Sequence, residues 1–307
     1  MSAHPIAVIG ATGQVARALQ RAGQSRASNL VAAGRPVIDV VSNASVKRVL
    51  DGIAPGLVIN AAAHTAVDQA ESDEANAFRI NRDGPHYIAK WCAANSVPLI
   101  HISTDYVFDG ANATAYVETD ACRPLNVYGR SKLAGEDAVR DALAQHVIVR
   151  TAWVYGPDGR NFLKTMLRLG ADREVIEVVA DQYGTPTSAD DIAAALLDIG
   201  EGVLGGDGRA PWGTYHLVAG GETTWHGFAK HIFSVAAREG YKAPRVEPIL
   251  TENYPTAAAR PKYSVLDTTE IRRAFGIALP PWQTSVAACV GRLMPPKHHQ
   301  QPLTLQG

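Results

Sequence analysis

The sequence predicts an α/β fold, with a doubly wound parallel sheet in the first half of the chain and a smaller C-terminal lobe. Short apolar runs alternate with longer amphipathic segments from Ile6 to Arg150, the pattern of parallel strands joined by right-handed helical crossovers. After Gly156 this alternation loosens into polar, proline-bearing stretches. We therefore predict one domain at 1–153 and a lobe at 154–294, some of whose segments return to the first domain.

The composition excludes several classes of protein. Hydrophobic residues make up 46% and charged residues 19% of the 307 residues, as in ordinary globular enzymes. A formal net charge of −1 indicates no basic surface for nucleic acid and no electrostatic attraction to membranes. Three separated cysteines without a Cys-x-x-Cys pair predict neither a disulfide framework nor a thiolate metal site. We expect a cytoplasmic protein without nucleic-acid or membrane partners, and a disordered polar tail at 295–307.

The first strand, 6–9, leads into a glycine turn of the kind that binds dinucleotides. Gly10 permits a tight turn, and Gly13 lets the backbone approach a pyrophosphate at the start of a helix, where free N–H groups attract that anion. The spacing is Gly-x-x-Gly-x-x-Ala, which ends at Ala16, and not the commoner Gly-x-Gly-x-x-Gly. A glycine turn without a ligand is the alternative, but its place in the first strand-to-helix unit favours a dinucleotide site.

The second strand, 30–33, ends near the position that distinguishes the two nicotinamide cofactors. Arg35 follows the glycine turn by roughly 20 residues, where an NAD site has an acidic residue and an NADP site a basic one. Arg35 therefore favours NADPH, although a solvated arginine at a strand end fits nearly as well. Asp39 and Val40 lie either at the adenine edge of the site or at the cap of the next helix near Ser45.

The third strand, 57–63, ends in small residues, which suits a backbone that lies against a flat cofactor. Its last residues include Ala62 and Ala63, and His64 and Thr65 come next, at the carboxyl end where parallel sheets bind ligands. We assign His64 a cofactor contact and not a catalytic role. Residues 68–95 are predicted to form two helices that are broken near Gly84-Pro85.

The fourth strand, 97–102, is followed by Ser103 and Thr104, whose hydroxyl groups can hydrogen-bond a carbonyl group that is being reduced. Downstream, Tyr128 and Lys132 stand four residues apart at the start of a helix, so their side chains share one face. A tyrosine has an ordinary pKa of about 10 and needs a nearby cation to favour its phenolate. Lys132 is that cation in our interpretation.

This tyrosine and lysine could reduce a carbonyl group if a nicotinamide supplied the hydride. The spacing alone is weak, because a half-buried tyrosine with a lysine beside it is common on amphipathic helices. The dinucleotide pattern upstream makes the chemical interpretation the stronger one.

With these residues assembled, the chain resembles the extended short-chain dehydrogenase/reductase superfamily, and within it the dTDP-4-dehydrorhamnose reductases. Several long motifs in the right order carry the resemblance from Gly10 to about Trp282. They are Asn60-Ala-Ala-Ala-His-Thr-Ala-Val-Asp68, Ser103-Thr-Asp-Tyr-Val-Phe108, Pro124-Leu-Asn-Val-Tyr-Gly129 with Lys132, Arg150-Thr-x-Trp-Val-Tyr155, Tyr215-His-Leu-Val-Ala-Gly-Gly221, Thr224-Trp-His226, Ala259-Arg-Pro261 and Leu279-Pro-x-Trp282.

The resemblance implies that the chain uses NADPH or NADH to reduce the 4-keto group of dTDP-6-deoxy-L-lyxo-4-hexulose to dTDP-L-rhamnose. It implies that Tyr128 donates the proton, that Lys132 lowers the pKa of Tyr128 and holds the nicotinamide ribose, and that Thr104 hydrogen-bonds the reacting oxygen. Asp105 and Trp153 would face the sugar nucleotide, and the C-terminal lobe would bind it. The residues expected to contact the cofactor are Gly10, Gly13, Gln14, Val15, Arg35, Asp39, Val40, Ala62, Ala63, His64, Thr65, Tyr128 and Lys132.

Three related functions remain as alternatives. Sugar-nucleotide dehydratases of the superfamily carry Asp-Glu after the threonine, whereas this chain has Asp105-Tyr106 and lacks the second carboxylate. Related reductases and 4-epimerases that act on other sugar nucleotides are excluded less firmly. A non-catalytic, dinucleotide-binding regulatory subunit ranks lower, because such a protein has no chemical need for Thr104, Tyr128 and Lys132.

The resemblance also raises the question of a metal ion. In well-known relatives an acidic residue of the first helix joins acids of another helix to bind magnesium between two subunits. Asp190 and Asp191 are available here, but Ala18 stands at the first-helix position. Two acids at a helix start also have an ordinary explanation in the helix dipole. We predict no intersubunit magnesium, and the oligomeric state stays open, with a homodimer as one arrangement.

Overall fold

The computed structural model describes residues 4–205 and 210–294, so the predicted tail at 295–307 lies outside the described residues. The strands are β1 (Ile6–Ile9), β2 (Leu30–Ala33), β3 (Leu57–Asn60), β4 (Leu99–Thr104), β5 (His146–Thr151), β6 (Val154–Tyr155), β7 (Val175–Val179), β8 (Tyr183–Gly184), β9 (Thr187–Ser188), β10 (Gly213–His216), β11 (Thr223–Thr224) and β12 (Arg245–Ile249). The helices are α1 (Gln14–Ser25), α2 (Asn43–Ile53), α3 (Val67–Ser72), α4 (Glu74–Phe78), α5 (Gly84–Asn95), α6 (Val127–Ala142), α7 (Phe162–Asp172), α8 (Ala189–Gly205), α9 (Trp225–Arg238), α10 (Thr269–Phe275) and α11 (Trp282–Leu293).

Six parallel strands form the central sheet, in the order β2-β1-β3-β4-β5-β10. The chain moves outward from β1 to β2 and then crosses back to β3 on the other side of β1. This reversal creates a crevice at the carboxyl ends of β1 and β3, where open α/β sheets bind ligands. The predicted Rossmann-like fold is confirmed.

Both faces of the sheet are covered by helices. Since the side chains of a strand alternate between the two faces, neighbouring residues of β1 pack against different helices. From β1, Val8 joins a buried cluster with Leu19 of α1 and Leu196 of α8. Its neighbour Ile9 joins a second cluster with Leu50 of α2 and other side chains of α2 and α5 on the opposite face. The glycine turn at the end of β1 is therefore held from both sides.

The C-terminal part of the chain contributes to two regions. Helices α7, α9 and α11 enclose a separate buried cluster that includes Leu163, Phe228 and Val290. Helix α8 packs against α1, and β10 pairs with β5 at the edge of the central sheet, where Tyr215 lies beside Val149. Among the helices of residues 4–205 and 210–294, none combines the length and the apolar character that a membrane crossing requires.

Several details differ from the predictions. Strand β3 ends at Asn60 and not at residue 63, and β4 begins at Leu99 and not at residue 97. Strand β4 extends to Thr104, so Ser103 and Thr104 are its last residues and are fixed by sheet hydrogen bonds. The predicted helix break at Gly84-Pro85 is wrong, because a π-helical turn at Arg79–Asp83 connects α4 directly to α5. Pro85 lies in the first turn of α5, a position where its missing N–H group costs little.

Candidate active site

A cavity of about 600 Å³ opens at the carboxyl edge of the central sheet. Residues from the glycine turn, from the ends of β3, β4 and β5, and from the start of α6 line it. Ten of the predicted site residues line this cavity, namely Gly13, Gln14, Val15, Ala63, Thr65, Thr104, Asp105, Tyr128, Lys132 and Trp153. The structure therefore assembles residues that are up to 140 positions apart (153 minus 13) in the sequence.

The glycine turn forms one wall and suits an anion. Gly10 has φ of 107°, and a Cβ atom there would stand 2.8 Å from the backbone nitrogen of Ala62, so a side chain would push β1 and β3 apart. Gly13 caps α1 without a side-chain hydrogen bond, and the first turn of α1 holds no acidic residue. The N–H groups of the first turn of α1 are therefore available to a phosphate at the positive end of the helix dipole.

Helix α6 begins at a position that neighbouring segments fix. The side-chain oxygen of Asn126 accepts a hydrogen bond from the N–H of Gly129 at 2.8 Å, which is an N-cap. Its amide nitrogen donates to the carbonyl oxygen of Ala259 at 2.7 Å. Glu71 accepts the N–H of Val127 at 2.8 Å. These contacts place the next residue, Tyr128, at the cavity.

Tyr128 is partly buried, and its ring meets the ring of Tyr106 edge-on, with centroids 5.8 Å apart. Burial raises the pKa of Tyr128 to about 12, and the charge of Asp105 acts in the same direction. The Thr104 hydroxyl opposes the shift. At neutral pH the phenol therefore keeps its proton, as a proton donor must.

Lys132 is buried beside the tyrosine on the next turn of α6. Its ammonium group donates to the carbonyl oxygen of Ile102 at 2.7 Å and lies 3.5 Å from Nε2 of His101. Burial lowers the pKa of Lys132 to about 8, and the charge of Glu136 partly offsets this. We expected Lys132 to lower the pKa of Tyr128. In this arrangement the pKa of Tyr128 is raised instead, because the phenol is buried.

Thr104 and Asp105 form the floor of the cavity. The hydroxyl of Thr104 donates to Oδ1 of Asp105 at 3.1 Å and accepts the N–H of Tyr106 at 3.2 Å. Burial raises the pKa of Asp105 to about 7, against the opposing effects of Ser264, Thr104 and two backbone N–H groups. Asp105 is thus a carboxyl group that can change its protonation state near neutral pH.

Ser103 has a different role from its neighbour. Its hydroxyl donates to Oε1 of Glu136 at 2.5 Å, and Glu136 also receives the guanidinium of Arg150 at 2.7 Å. Both charged groups are almost completely buried. Since the Ser103 hydroxyl is committed to this network, Thr104 is the hydroxyl that remains near the tyrosine. The network fixes β4, β5 and α6 relative to each other.

An indole pair separates this cavity from a second one. Trp153 has φ of 47°, a conformation that is rare for residues other than glycine. Its ring stacks on that of Trp225 with centroids 3.5 Å apart and planes 6° apart. Trp153 lines the first cavity, and Trp225 lines both it and an adjacent cavity of about 370 Å³. Arg173 and Arg260 are among the residues of the second cavity.

Six predicted cofactor residues lie outside the lining of the first cavity, namely Gly10, Arg35, Asp39, Val40, Ala62 and His64. Arg35 and Asp39 form an exposed ion pair with 3.2 Å between Nη2 and Oδ1. The N–H of Asp39 donates to the hydroxyl of Ser45, while Ser42 caps α2. The buried Nδ1 of His64 has no hydrogen-bond partner among the described residues. The cofactor contacts of these residues stay predictions.

Two buried polar residues that the sequence did not reveal support the site. Asn81, in the π-helical turn, receives the N–H of His64 at 2.8 Å and donates to the Ser131 hydroxyl at 2.9 Å. It therefore joins the loop after β3 to the helix that carries Tyr128. His101, inside β4, lies between Asn60 and Lys132. A π turn is a frequent marker of functional sites, but its position is hard to predict from sequence.

The residues at Asp190 do not fit a magnesium site. One carboxylate oxygen of Asp190 lies 2.7 Å from Nη2 of Arg21, and the other lies 2.7 Å from Nη1 of Arg292. Asp191 accepts a hydrogen bond from Ser285. Within residues 4–205 and 210–294, no group of three His, Cys, Asp or Glu side chains could hold a metal ion. Both oxygens of the Asp190 carboxylate are thus paired with guanidinium groups, whereas a magnesium ion would need that carboxylate as a ligand.

The sheet order, the glycine turn and the grouping of Thr104, Tyr128 and Lys132 at one cavity define a protein of the extended short-chain dehydrogenase/reductase class. Comparison with known proteins narrows this class. The chain belongs to the family described as the RmlD substrate binding domain, whose model matches residues 4–294.

The chain is also similar along most of its length to several named relatives. It is 43% identical over 290 residues to dTDP-4-dehydrorhamnose reductase of Sinorhizobium fredii, and the match covers 94% of this chain and 97% of the relative. It is 42% identical over 296 residues to the enzyme of that name from Escherichia coli K12, with coverage of 94% and 97%. The crystal structure of dTDP-4-dehydrorhamnose reductase from Bacillus anthracis in complex with NADP superimposes with a TM-score of 0.87, at 36% identity and coverage of 93% and 98%.

Proposed function

We propose that the protein reduces the 4-keto group of dTDP-6-deoxy-L-lyxo-4-hexulose to give dTDP-L-rhamnose, with NADPH or NADH as the hydride donor. The observation that carries this proposal is the grouping of Thr104, Tyr128 and Lys132 around one cavity at the carboxyl edge of the sheet. The similarity to dTDP-4-dehydrorhamnose reductases over more than nine-tenths of the chain supports the choice of substrate.

The residues present fit a dinucleotide. The uncapped N-terminus of α1 offers N–H groups to the pyrophosphate, and Gly13 carries no side chain that would obstruct it. Gly13, Gln14, Val15, Ala63 and Thr65 line the cavity that the nicotinamide half would share with the sugar. A bound nicotinamide would supply the hydride.

Tyr128 would give its proton to the oxygen atom at C4 as the carbonyl is reduced. Its raised pKa keeps it protonated before the reaction, and the adjacent Thr104 hydroxyl can hydrogen-bond the same substrate oxygen. The ammonium of Lys132 would hold the nicotinamide ribose and stabilise the phenolate after proton transfer. We assign NADPH preference to Arg35, whose side chain is 69% exposed just after β2 and can meet a 2′-phosphate.

The second cavity suits the nucleotide part of the substrate. It adjoins the catalytic cavity at Trp225, so a sugar in one and a nucleotide in the other can belong to a single ligand. Arg173 and Arg260 supply positive charge, although Arg260 also pairs with Asp68 at 2.7 Å. Asp105 and Trp153 would then contact the sugar.

We also assign the protein to the cytoplasm, in keeping with its three free cysteines.

The test follows the loss of nicotinamide absorbance when the purified protein meets NADPH and enzymatically prepared dTDP-6-deoxy-L-lyxo-4-hexulose. We expect oxidation of NADPH and formation of dTDP-L-rhamnose. Tyr128→Phe should reduce turnover by roughly a hundredfold or more, with cofactor affinity nearly unchanged. NADPH that binds and is never oxidised would favour a regulatory subunit or a different keto-sugar, and normal turnover by Tyr128→Phe would remove Tyr128 from the mechanism.

A further inference from the structure

Asp105 combines features that a contact with the sugar does not require. It follows β4 directly, its side chain is only 2% exposed, and it lines the same cavity as Tyr128. Its Oδ2 atom is buried without a hydrogen-bond partner among the described residues. An isolated carboxylate would be costly in such a place, whereas a neutral carboxylic acid needs only one acceptor for its proton.

The surroundings of Asp105 supply little compensation for a negative charge. The groups that face it are the hydroxyls of Thr104 and Ser264, the phenols of Tyr106 and Tyr128, and the backbone N–H groups of the turn. The guanidinium of Arg260 already pairs with Asp68, and the ammonium of Lys132 donates to Ile102. Burial consequently raises the pKa of Asp105 to about 7.

The Thr104 hydroxyl connects Asp105 to the tyrosine. Its oxygen lies 3.1 Å from Oδ1 of Asp105, and it lines the same cavity as Tyr128, whose pKa it helps to lower. A hydroxyl in this position can accept a proton from one neighbour while it donates its own proton to the other. Asp105, Thr104 and Tyr128 therefore lie together at one cavity, with the Thr104 hydroxyl bonded to Asp105 and placed to pass a proton to the tyrosine.

We propose that Asp105 is a proton reservoir that restores the proton of Tyr128 through the Thr104 hydroxyl; this proposal rests on the proposed reductase function. After Tyr128 has given its proton to the substrate oxygen, its phenolate takes the proton of the Thr104 hydroxyl. In the same step Thr104 takes the proton of Asp105. The O–H bonds of Thr104 and Asp105 break, new O–H bonds form at Tyr128 and Thr104, and Asp105 is left as a carboxylate. It regains a proton from solvent before the next turnover.

This role differs in its consequences from a simple contact with the sugar. A contact that is equally strong in the ground state and the transition state affects KM, whereas a group needed for proton return affects kcat and its pH dependence. Because the reservoir must be protonated, kcat should fall as the pH rises above about 7, the pKa of Asp105. Asp105→Asn keeps the shape of the side chain and removes its titration.

The experiment measures kcat and KM against pH for the wild type, Asp105→Asn and the control Asp109→Asn. Asp109 is a nearby carboxylate that accepts a hydrogen bond from Tyr116, which an amide can also accept. We expect Asp105→Asn to lower kcat about tenfold or more and to lose the fall above neutral pH, while Asp109→Asn keeps both. A raised KM with an unchanged kcat profile would overturn the proposal in favour of a sugar contact.

Infrared titration of the protein alone gives a second readout, which needs no substrate. A band of a protonated carboxylic acid should disappear with a midpoint near pH 7 in the wild type and be missing from the Asp105→Asn variant. The difference spectrum is needed because burial also raises the pKa of Asp191 and Glu118. A midpoint near the ordinary aspartate value of about 4 overturns the proposal. A wild type that never oxidises NADPH overturns the proposed function and this proposal together, whereas an active wild type with a normal Asp105→Asn variant overturns this proposal only.

Discussion

Gly184 lies directly against the indole ring of Trp153. A Cβ atom at Gly184 would stand 2.5 Å from Cε2 of Trp153, closer than any real packing contact. The same indole also stacks on Trp225. Trp153 is therefore clamped by a glycine and a second indole, and this clamp fixes the residue that would face the sugar.

Gly184→Ala should displace Trp153. We expect a loss of about 1–3 kcal/mol in the free energy of unfolding, which is typical of overpacking, and a raised KM for the sugar nucleotide. The measurements are urea denaturation and steady-state kinetics. Gly291→Ala is the matched control, since no atom lies within 4 Å of the added Cβ atom and alanine is favoured inside a helix. Equal effects of the two substitutions would contradict the clamp.

Lys132 should make stability depend on pH in a specific direction. Its pKa falls from 10.5 to about 8 on folding, so the unfolded chain binds more protons between these values. The resulting penalty, on the order of 3 kcal/mol, is fully present below about pH 8 and disappears as the pH rises towards 10.5. The wild type should therefore gain stability relative to Lys132→Met over this range.

Urea denaturation of both proteins at several pH values measures this difference, with Lys47→Met, at an exposed position of α2, as the control. A pH-independent difference between the wild type and Lys132→Met would show that the ammonium group is not desolvated. In activity assays Lys132→Met should weaken cofactor binding and also slow turnover. An effect on turnover alone would contradict the contact with the ribose.

Arg35→Ala should reduce the preference for NADPH over NADH by about tenfold or more, because a charge-assisted hydrogen bond to the 2′-phosphate would be lost. The ratio of the two dissociation constants, measured by fluorescence titration, gives the result directly. Arg48→Ala serves as the control, since Arg48 lies on α2 and contacts the carbonyl oxygen of Val37 near the same turn. An unchanged ratio in Arg35→Ala would refute the assignment to the 2′-phosphate.

The sequence was informative wherever local pattern decides structure. Strands β1 and β2 begin and end at the predicted residues, because short apolar runs bounded by polar or glycine residues leave few alternatives. The glycine turn and the Tyr128 and Lys132 pair could also be located, since both depend on residues that are close in the sequence.

Features that depend on distant contacts were not predictable in this way. Trp225 stacks on Trp153, which lies 72 positions earlier in the sequence (225 minus 153). Nothing in either local motif indicates the pairing. The π-helical turn that directs Asn81 inward replaces a helix break that Pro85 had suggested. The pKa of Asp105 arises from burial under residues of several segments, so the type of residue alone could not reveal it.

The carboxylate of Asp190 should need no metal ion to balance its charge, because Arg21 and Arg292 each lie 2.7 Å from one of its oxygens. We expect EDTA and added magnesium to leave the melting temperature and the oligomeric state unchanged, as measured by thermal denaturation and light scattering. Asp190→Asn should cost about 1 kcal/mol or less, since half-exposed ion pairs are screened by solvent. Asp198→Asn, which removes the Arg26 pair between α1 and α8, should cost a similar amount. Dimerisation that needs magnesium and disappears in an Asp190→Ala variant would refute this assignment, because the ion would then have to displace the guanidinium groups that pair with the Asp190 carboxylate.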